Sequence, residues 1–187
     1  LKPDGKIIVN NLENIIDRVS NFINDLLKLA RMDFMGGEQM EPVHFTELLF
    51  NLVEEFSVIA QESEINFVHQ IEGGIVINGD KNKLVELVTN LVSNAMKYLD
   101  KERRITLTLK KIDGVAKLVI EDTGVGIPAE DLPHLFERFY RSNKTQIQGT
   151  GLGLAICKKI ITLHNGEIRI KSQVGVGTSV EVLLPLI

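Results

Sequence analysis

The sequence has a single cysteine, Cys157, so it can build neither an internal disulfide framework nor a multi-cysteine zinc site. An excess of one charge is also lacking. The 21 Lys and Arg stand against 25 Asp and Glu, for a formal net charge of −4, and this gives no basic footprint for general nucleic-acid binding. Long apolar runs are missing as well. The longest stretch free of Asp, Glu, Lys and Arg, Thr145 to Cys157, carries Gly, Thr and Gln and is too short to span a bilayer. No signal peptide, repeat or low-complexity segment is legible. The four histidines, His44, His69, His134 and His164, show no metal-ligand spacing and read as surface or structural residues. The chain opens on Leu1 rather than Met, which reads as a fragment of something longer. What is present is an ordinary globular composition: 187 residues, 44% hydrophobic and 25% charged, enough for one domain plus an extra element.

The first segment has one rhythm. Ile8, Leu12, Ile15, Val19, Phe22, Leu26 and Leu29 are spaced alternately by four and three residues, a heptad seam on a helix. Ile16, Ile23 and Ala30 widen the stripe, so a bundle with absent partner helices is expected over a helix folded back on its own domain. Gly36-Gly37 and Pro42 mark a hinge, which places a first unit at 1–37 and a second at 38–187. Beyond the hinge, Thr46 to Gln61 reads as an amphipathic helix with Thr46 as N-cap. Ile65 to Ile71 and Ile75 to Ile77 read as strands, and Asp80 caps a helix running to about Leu99. Ile105 to Ile112 and Val115 to Glu121 flank Asp113-Gly114 as a hairpin. Thr123 to Thr150 reads as a long functional loop, Gly151 to Leu163 as a helix, and Gly166 to Ser172 with Thr178 to Leu184 as a last hairpin. Hairpins outnumber βαβ units, which favours α+β: a mixed sheet with helices on one face.

Four clusters carry chemistry. Asn90, Asn94, Lys97 and Tyr98 share one helix face, opposite the apolar Leu84, Leu87, Val88, Leu91, Val92 and Ala95. Amide oxygens suit magnesium, and amide nitrogens suit phosphate. The alternative is a set of exposed polar residues on a surface helix. Asp122-Thr123-Gly124-Val125-Gly126-Ile127-Pro128 follows a strand. A carboxylate there can accept from an exocyclic amine, and the glycines allow close backbone approach, although Asp-Thr-Gly also fits an ordinary turn. Leu135-Phe136-Glu137-Arg138-Phe139-Tyr140-Arg141 lies in the long loop; Phe136 and Phe139 are expected to pin it, and Arg138, Arg141 and Lys144 supply cations for phosphates. Gly149-Thr150-Gly151-Leu152-Gly153-Leu154 opens a helix, where free amides suit an anion. It matches neither Walker A nor Rossmann spacing.

In this order, the four clusters resemble the N, G1, F and G2 boxes of the catalytic ATP-binding domain of sensor histidine kinases. The resemblance covers Phe45 to Leu186, and Gly177-Thr178 matches a further small Gly motif. It implies a Bergerat-type two-layer α/β sandwich, shared with type II topoisomerases, large heat-shock chaperones and mismatch-repair ATPases, preceded here by the long heptad-patterned helix. That helix, through Asp25-Leu26-Leu27-Lys28-Leu29-Ala30-Arg31, resembles the second helix of the dimerisation and phosphotransfer hairpin. The resemblance implies the following roles. Asn94 ligates magnesium and Asn90 assists. Lys97 contacts phosphate and Tyr98 covers the nucleotide. Asp122 binds the adenine amino group, and Thr178 helps hold adenine. Gly124, Gly126, Gly149, Gly151 and Gly153 form the base and hinges of a mobile lid, with Ile127, Thr150, Leu152 and Leu154 in the same motifs. Arg138, Arg141 and Lys144 reach the γ-phosphate.

Asn90 stands where ATP-hydrolysing relatives carry a Glu base, and Asn cannot take a proton near neutral pH, so a water-activating ATPase is disfavoured. The family's phosphoacceptor, a His followed by an acidic residue, does not occur: the residues after the four histidines are Phe, Gln, Leu and Asn. Leu1 to Lys6 resembles the end of the hairpin loop, so the first helix is expected to be missing. The implied function is ATP binding and γ-phosphoryl transfer to a His on that helix, for relay to a response-regulator Asp in two-component signalling. The implied parent is a homodimer with this part in the cytoplasm, reaching a membrane only through other segments. The alternative is a nucleotide-gated scaffold without phosphotransfer. Cys157, on the helix after the fourth cluster, is expected to pack as a small hydrophobe.

Overall fold

The computed structural model describes residues 3–34, 40–142 and 149–187. The proposed hinge at Gly36-Gly37 and the cation Lys144 lie outside the described residues. The elements are α1 (Pro3–Phe34), β1 (Glu41–His44), α2 (Phe45–Glu62), β2 (Asn66–Ile71), β3 (Val76–Gly79), α3 (Lys81–Lys97), β4 (Arg104–Ile112), β5 (Val115–Asp122), α4 (Gly153–Leu163), β6 (Glu167–Gln173) and β7 (Gly177–Pro185). A five-stranded mixed sheet runs β2-β4-β5-β7-β6, with β2 and β4 parallel and the other pairs antiparallel. The alternation within β4 and β5 puts Ile105, Leu107, Leu109, Ala116, Leu118 and Ile120 into the core. Across from them lie the apolar stripes of α2, α3 and α4, including Leu49, Leu84, Leu87, Val88, Ile156 and Ile160.

Local chemistry sets several boundaries. Asp80 caps α3 as expected, its Oδ1 accepting from the N–H of Asn82 at 2.9 Å and of Lys83 at 3.2 Å. Asp113 and Gly114 both take positive φ, 48° and 82°, as a tight hairpin turn with the strands' own twist requires. Two expectations change. Thr46 does not cap α2. It is buried, and its hydroxyl donates to the Glu72 carbonyl (2.8 Å) and accepts from the Ile75 N–H (3.1 Å), stitching α2 to the β2–β3 link. A small extra strand, β1, pairs antiparallel with β3.

The seam of α1 divides. Leu29 and Met32 are buried in the core of the rest of the chain, while Leu12, Ile15, Ile16, Val19, Ile23 and Leu26 are exposed. The last turns of the helix thus fold back on its own chain, which the absent-partner expectation did not include. Three further contacts secure them: the Phe22 and Phe139 rings at 6.0 Å, Asp25 to Thr150, and Lys28 Nζ to Glu86 Oε1 at 2.7 Å. No helix among the described residues is long and apolar enough to cross a membrane.

Candidate functional site

The core-facing side of the sheet ends in a row. The strand registers place Ile105, Asp122, Thr178 and Ser172 directly opposite one another on β4, β5, β7 and β6. Ile105 is fully buried, and Asp122, Thr178 and Ser172 are half-buried where the core opens. Asp122 Oδ1 accepts from the N–H of Gly124 (2.8 Å) and of Thr178 (3.2 Å). Among the described residues Oδ2 has no hydrogen-bond partner. Burial raises the carboxyl's pKa above its ordinary value, and the two N–H groups pull against that rise. The result is a fixed carboxylate with one acceptor oxygen to spare, suited to an exocyclic amine.

The glycines after Asp122 are sterically required. A Cβ on Gly124 would stand 2.3 Å from the Tyr98 carbonyl oxygen, because the Val125 N–H donates to that oxygen at 3.0 Å. Gly126 has φ 70°, and a Cβ there would stand 2.0 Å from the Gln173 carbonyl oxygen. The turn at 124–127 is therefore locked between the end of α3 and the β6–β7 hairpin. Ile127 contributes its N–H, which donates to Ser172 Oγ at 2.8 Å.

Asn90 and Asn94 are half-buried on α3 and face the start of α4: a Cβ on Gly153 would lie 3.9 Å from Asn90 Oδ1 and 4.0 Å from Asn94 Nδ2. The residue before α4, Leu152, is buried and offers no side-chain cap, so amides of the first turn remain open. Leu154 packs partly buried against the core. Lys97 completes this side. A Cβ on Gly149 would stand 2.8 Å from its Nζ, and the ammonium lies 5.6 Å from the centre of the Tyr98 ring. Its pKa is lowered, first by burial and then by the nearby Arg141 guanidinium. The first cluster thus meets the second through Tyr98 and Gly124 and the fourth through Gly149 and Gly153, and Arg141 lies near Lys97.

The third cluster is organised by Asp131, which the sequence reading did not single out. Its Oδ1 accepts from the Tyr140 hydroxyl at 2.7 Å, and its other oxygen from Ser142. The Tyr140–Asp131 bond, followed by burial and the nearby Asp131, Glu137 and Glu130 charges, pushes the pKa of the Tyr140 phenol up to about 12. Phe136 packs against the core under the Lys158 ammonium, as expected for a loop anchor. Phe139 does not: it is 52% exposed, has φ 68°, and meets α1 through Phe22. Gly151 (φ 71°) accepts the Phe139 N–H at 3.0 Å, and a Cβ there would touch the Phe139 backbone. Arg138 is exposed on this segment. Thr150 Oγ1 accepts the Leu152 N–H (3.3 Å) and donates to Asp25 Oδ2 (3.0 Å), so α1 touches the turn that opens α4. No sequence signal pointed to Ser172, since a Ser on a strand is commonplace, and Asp25 stood out only as part of the α1 run, not as a contact of the turn before α4.

Among the described residues, no group of three or more His, Cys, Asp or Glu could hold a metal ion. Cys157 is buried with its thiol pKa raised by desolvation, consistent with a packing role.

Comparison with known proteins identifies the family. Residues 79–187 match the family described as histidine kinase-, DNA gyrase B-, and HSP90-like ATPase. The sensor histidine kinase RppB of Synechocystis sp. is 33% identical over 189 residues, taking in 98% of this chain and 42% of that protein. The sensor protein SrrB of Staphylococcus aureus is 34% identical over 193 residues, 98% of this chain and 32% of that protein. The chain therefore spans less than half the length of these relatives. Among solved structures, the mycobacterial sensor histidine kinase MprB matches with a TM-score of 0.69 at 34% identity, over 79% of this chain and 97% of that one. Full-length ShkA in complex with AMPPNP matches with a TM-score of 0.81 at 26% identity, over all of this chain and 40% of that one. The chain belongs to the histidine kinase-, DNA gyrase B- and HSP90-like ATPase family, and within it to the catalytic ATP-binding domains of sensor histidine kinases.

Proposed function

We propose that this chain binds Mg-ATP in the cleft between α3, α4 and β5 and presents the γ-phosphoryl group to a histidine on a helix outside this sequence. One observation carries the reading: Asp122, with an oxygen to spare, meets the end of α3 through Gly124 and the Tyr98 carbonyl, and the same helix brings Asn90, Asn94 and Lys97 against Gly149 and Gly153, which supports a base-recognising end beside a phosphate-holding end. Asp122 Oδ2 accepts from the adenine amino group, with Thr178 beside it. Lys97, Arg141 and the open amides at the start of α4 hold the phosphate chain, and Arg138 extends the cationic side.

The donor set fits magnesium. That ion takes few protein oxygens and shares its shell with phosphates and water, and the amides of Asn94 and Asn90 carry oxygens suited to such a shell. When bound, the ion neutralises charge on the phosphates during transfer. Asn90 has no basicity to activate water, whereas a histidine acceptor is itself a nucleophile, so the residues favour transfer over hydrolysis. The exposed apolar face of α1 fits the second helix of a dimerising hairpin, and the partner next in line is the Asp of a response-regulator receiver domain. In this reading 1–37 is the unit that carries that helix, 38–187 is the catalytic unit, and both belong to the cytoplasmic part of a receptor.

The test joins this chain to the segment that precedes it in its gene and supplies magnesium and γ-labelled ATP. Acid-labile, base-stable phosphate, lost when the upstream His is replaced, is the expected result. ATP binding with no such label would refute phosphotransfer.

A further inference from the structure

Beyond Asp122 and Thr178, one more residue of the row is tied to the base-recognising end. Ser172 Oγ accepts the Ile127 N–H (2.8 Å), lies 2.9 Å from the Gly177 carbonyl oxygen, and lies 2.9 Å from Thr178 Oγ1. A serine hydroxyl has one hydrogen and two lone pairs. All three contacts are made at once in only one arrangement: Ser172 donates to the Gly177 carbonyl and accepts from both Ile127 N–H and Thr178 O–H. The Thr178 hydroxyl has then spent its hydrogen, and its oxygen can only accept. Its neighbour across the register, Asp122, likewise offers only an acceptor at Oδ2.

The same hydroxyl fastens the turn that borders this row. The 125–127 turn is bound to the β6–β7 hairpin by the Gly175 N–H to the Val125 carbonyl (2.9 Å) and by Ile127 N–H to Ser172. Gly126, at φ 70°, fits against the Gln173 carbonyl with no room for a side chain. Among the described residues, Ser172 is the one side chain of the β6–β7 hairpin that hydrogen-bonds to the turn.

We propose that Ser172 is a positioning residue for nucleotide selection: its hydroxyl clamps the 125–127 turn to the β6–β7 hairpin and orients Thr178 as an acceptor beside Asp122. The pair then favours a 6-amino purine over a 6-oxo purine. This inference rests on the chain binding ATP.

The experiment titrates the wild-type chain, Ser172→Ala and Ser172→Thr with ATP, ADP and GTP by calorimetry, and follows hydrogen exchange at the Ile127 amide. Ser172→Ala is expected to weaken ATP and ADP by the same factor, about tenfold for one ordinary hydrogen bond, because the loss is at the base end. It should also narrow the ATP-to-GTP preference and speed exchange at Ile127. Ser172→Thr keeps the hydroxyl and should restore all three. Wild-type affinity and selectivity in Ser172→Ala would overturn the proposal, as would equal losses for ATP and GTP that Ser172→Thr does not restore. Unchanged exchange at Ile127 in Ser172→Ala would overturn the clamp whatever the nucleotides do. A wild-type chain that binds no ATP would overturn the ATP reading itself and this inference with it.

Discussion

His164 is the residue whose removal should most clearly separate local from global effects. It is only 4% exposed, at the C-terminal end of α4. Its Nδ1–H donates to the Ile160 carbonyl (2.8 Å), and its Nε2 accepts the N–H of Asp80, the N-cap of α3 (3.0 Å). One neutral imidazole therefore joins the helix that follows Gly153 to the helix that carries Asn90 and Asn94. Replacing it with Ala strips the Asp80 N–H of its acceptor and leaves a cavity beside Gly79, where the ring packs too closely to admit a Cβ. The two effects together cost about 2–4 kcal/mol. For a chain of this size that lowers Tm by about 5–15 °C.

The pH dependence has a definite sign. Burial lowers the pKa of His164; its bond to the Ile160 carbonyl and the Asp80 charge oppose the shift, and the Lys83 charge adds to it. A His with a lowered folded pKa stabilises the fold fully above its unfolded value of about 6.5, and that contribution drains away as pH falls toward the folded value. The penalty of His164→Ala should therefore be largest near pH 8 and shrink toward pH 5, read from denaturant titrations of both proteins at each pH. A penalty that stays constant, or grows as pH falls, would refute the neutral-acceptor assignment.

Three further outcomes are expected. Asp122→Asn keeps an oxygen for the Gly124 and Thr178 amides but turns the free oxygen into a donor. ATP affinity should fall by about 30–100-fold with Tm nearly unchanged, and an affinity within twofold of wild type would contradict the amine-acceptor role. Gly151→Ala forces a side chain onto positive φ against the Phe139 backbone; it should cost about 1–2 kcal/mol and raise protease sensitivity around Phe139 and Tyr140 first. Cys157 should resist iodoacetamide in the native chain and react fully in denaturant; rapid native labelling would contradict its burial.

Much of this was legible because the signals were local. Asp80 as a cap, Asp113-Gly114 as a hairpin turn and the alternation in β4 and β5 each follow from a few neighbouring residues, and the structure agrees with all three. The failures come where a residue answers to distant partners. Thr46 looks like a cap in sequence, but its hydroxyl is claimed by Glu72 and Ile75, 26 and 29 residues away. β1 is a four-residue strand containing Pro42, and it exists because β3 supplies the other edge. The end of α1 follows heptad spacing that cannot say whether Leu29 meets another helix or its own domain. For the candidate site, the motif residues stood out by spacing. Ser172 did not, because its role comes from strand register.

The strand order also has a consequence for the order of synthesis. A chain emerging from the ribosome completes α3, with its asparagines, and β4–β5, with Asp122, well before β7 exists. Until β7 arrives, β5 has an open edge, and Asp122 Oδ1 lacks the Thr178 N–H that helps to fix it. In the proposed reading, nucleotide cannot template the early stages of folding, because the residues assigned to the base are among the last to be brought together. A nascent chain stalled before Gly177 should expose a sticky central strand, and it would depend on chaperones rather than on ATP for protection.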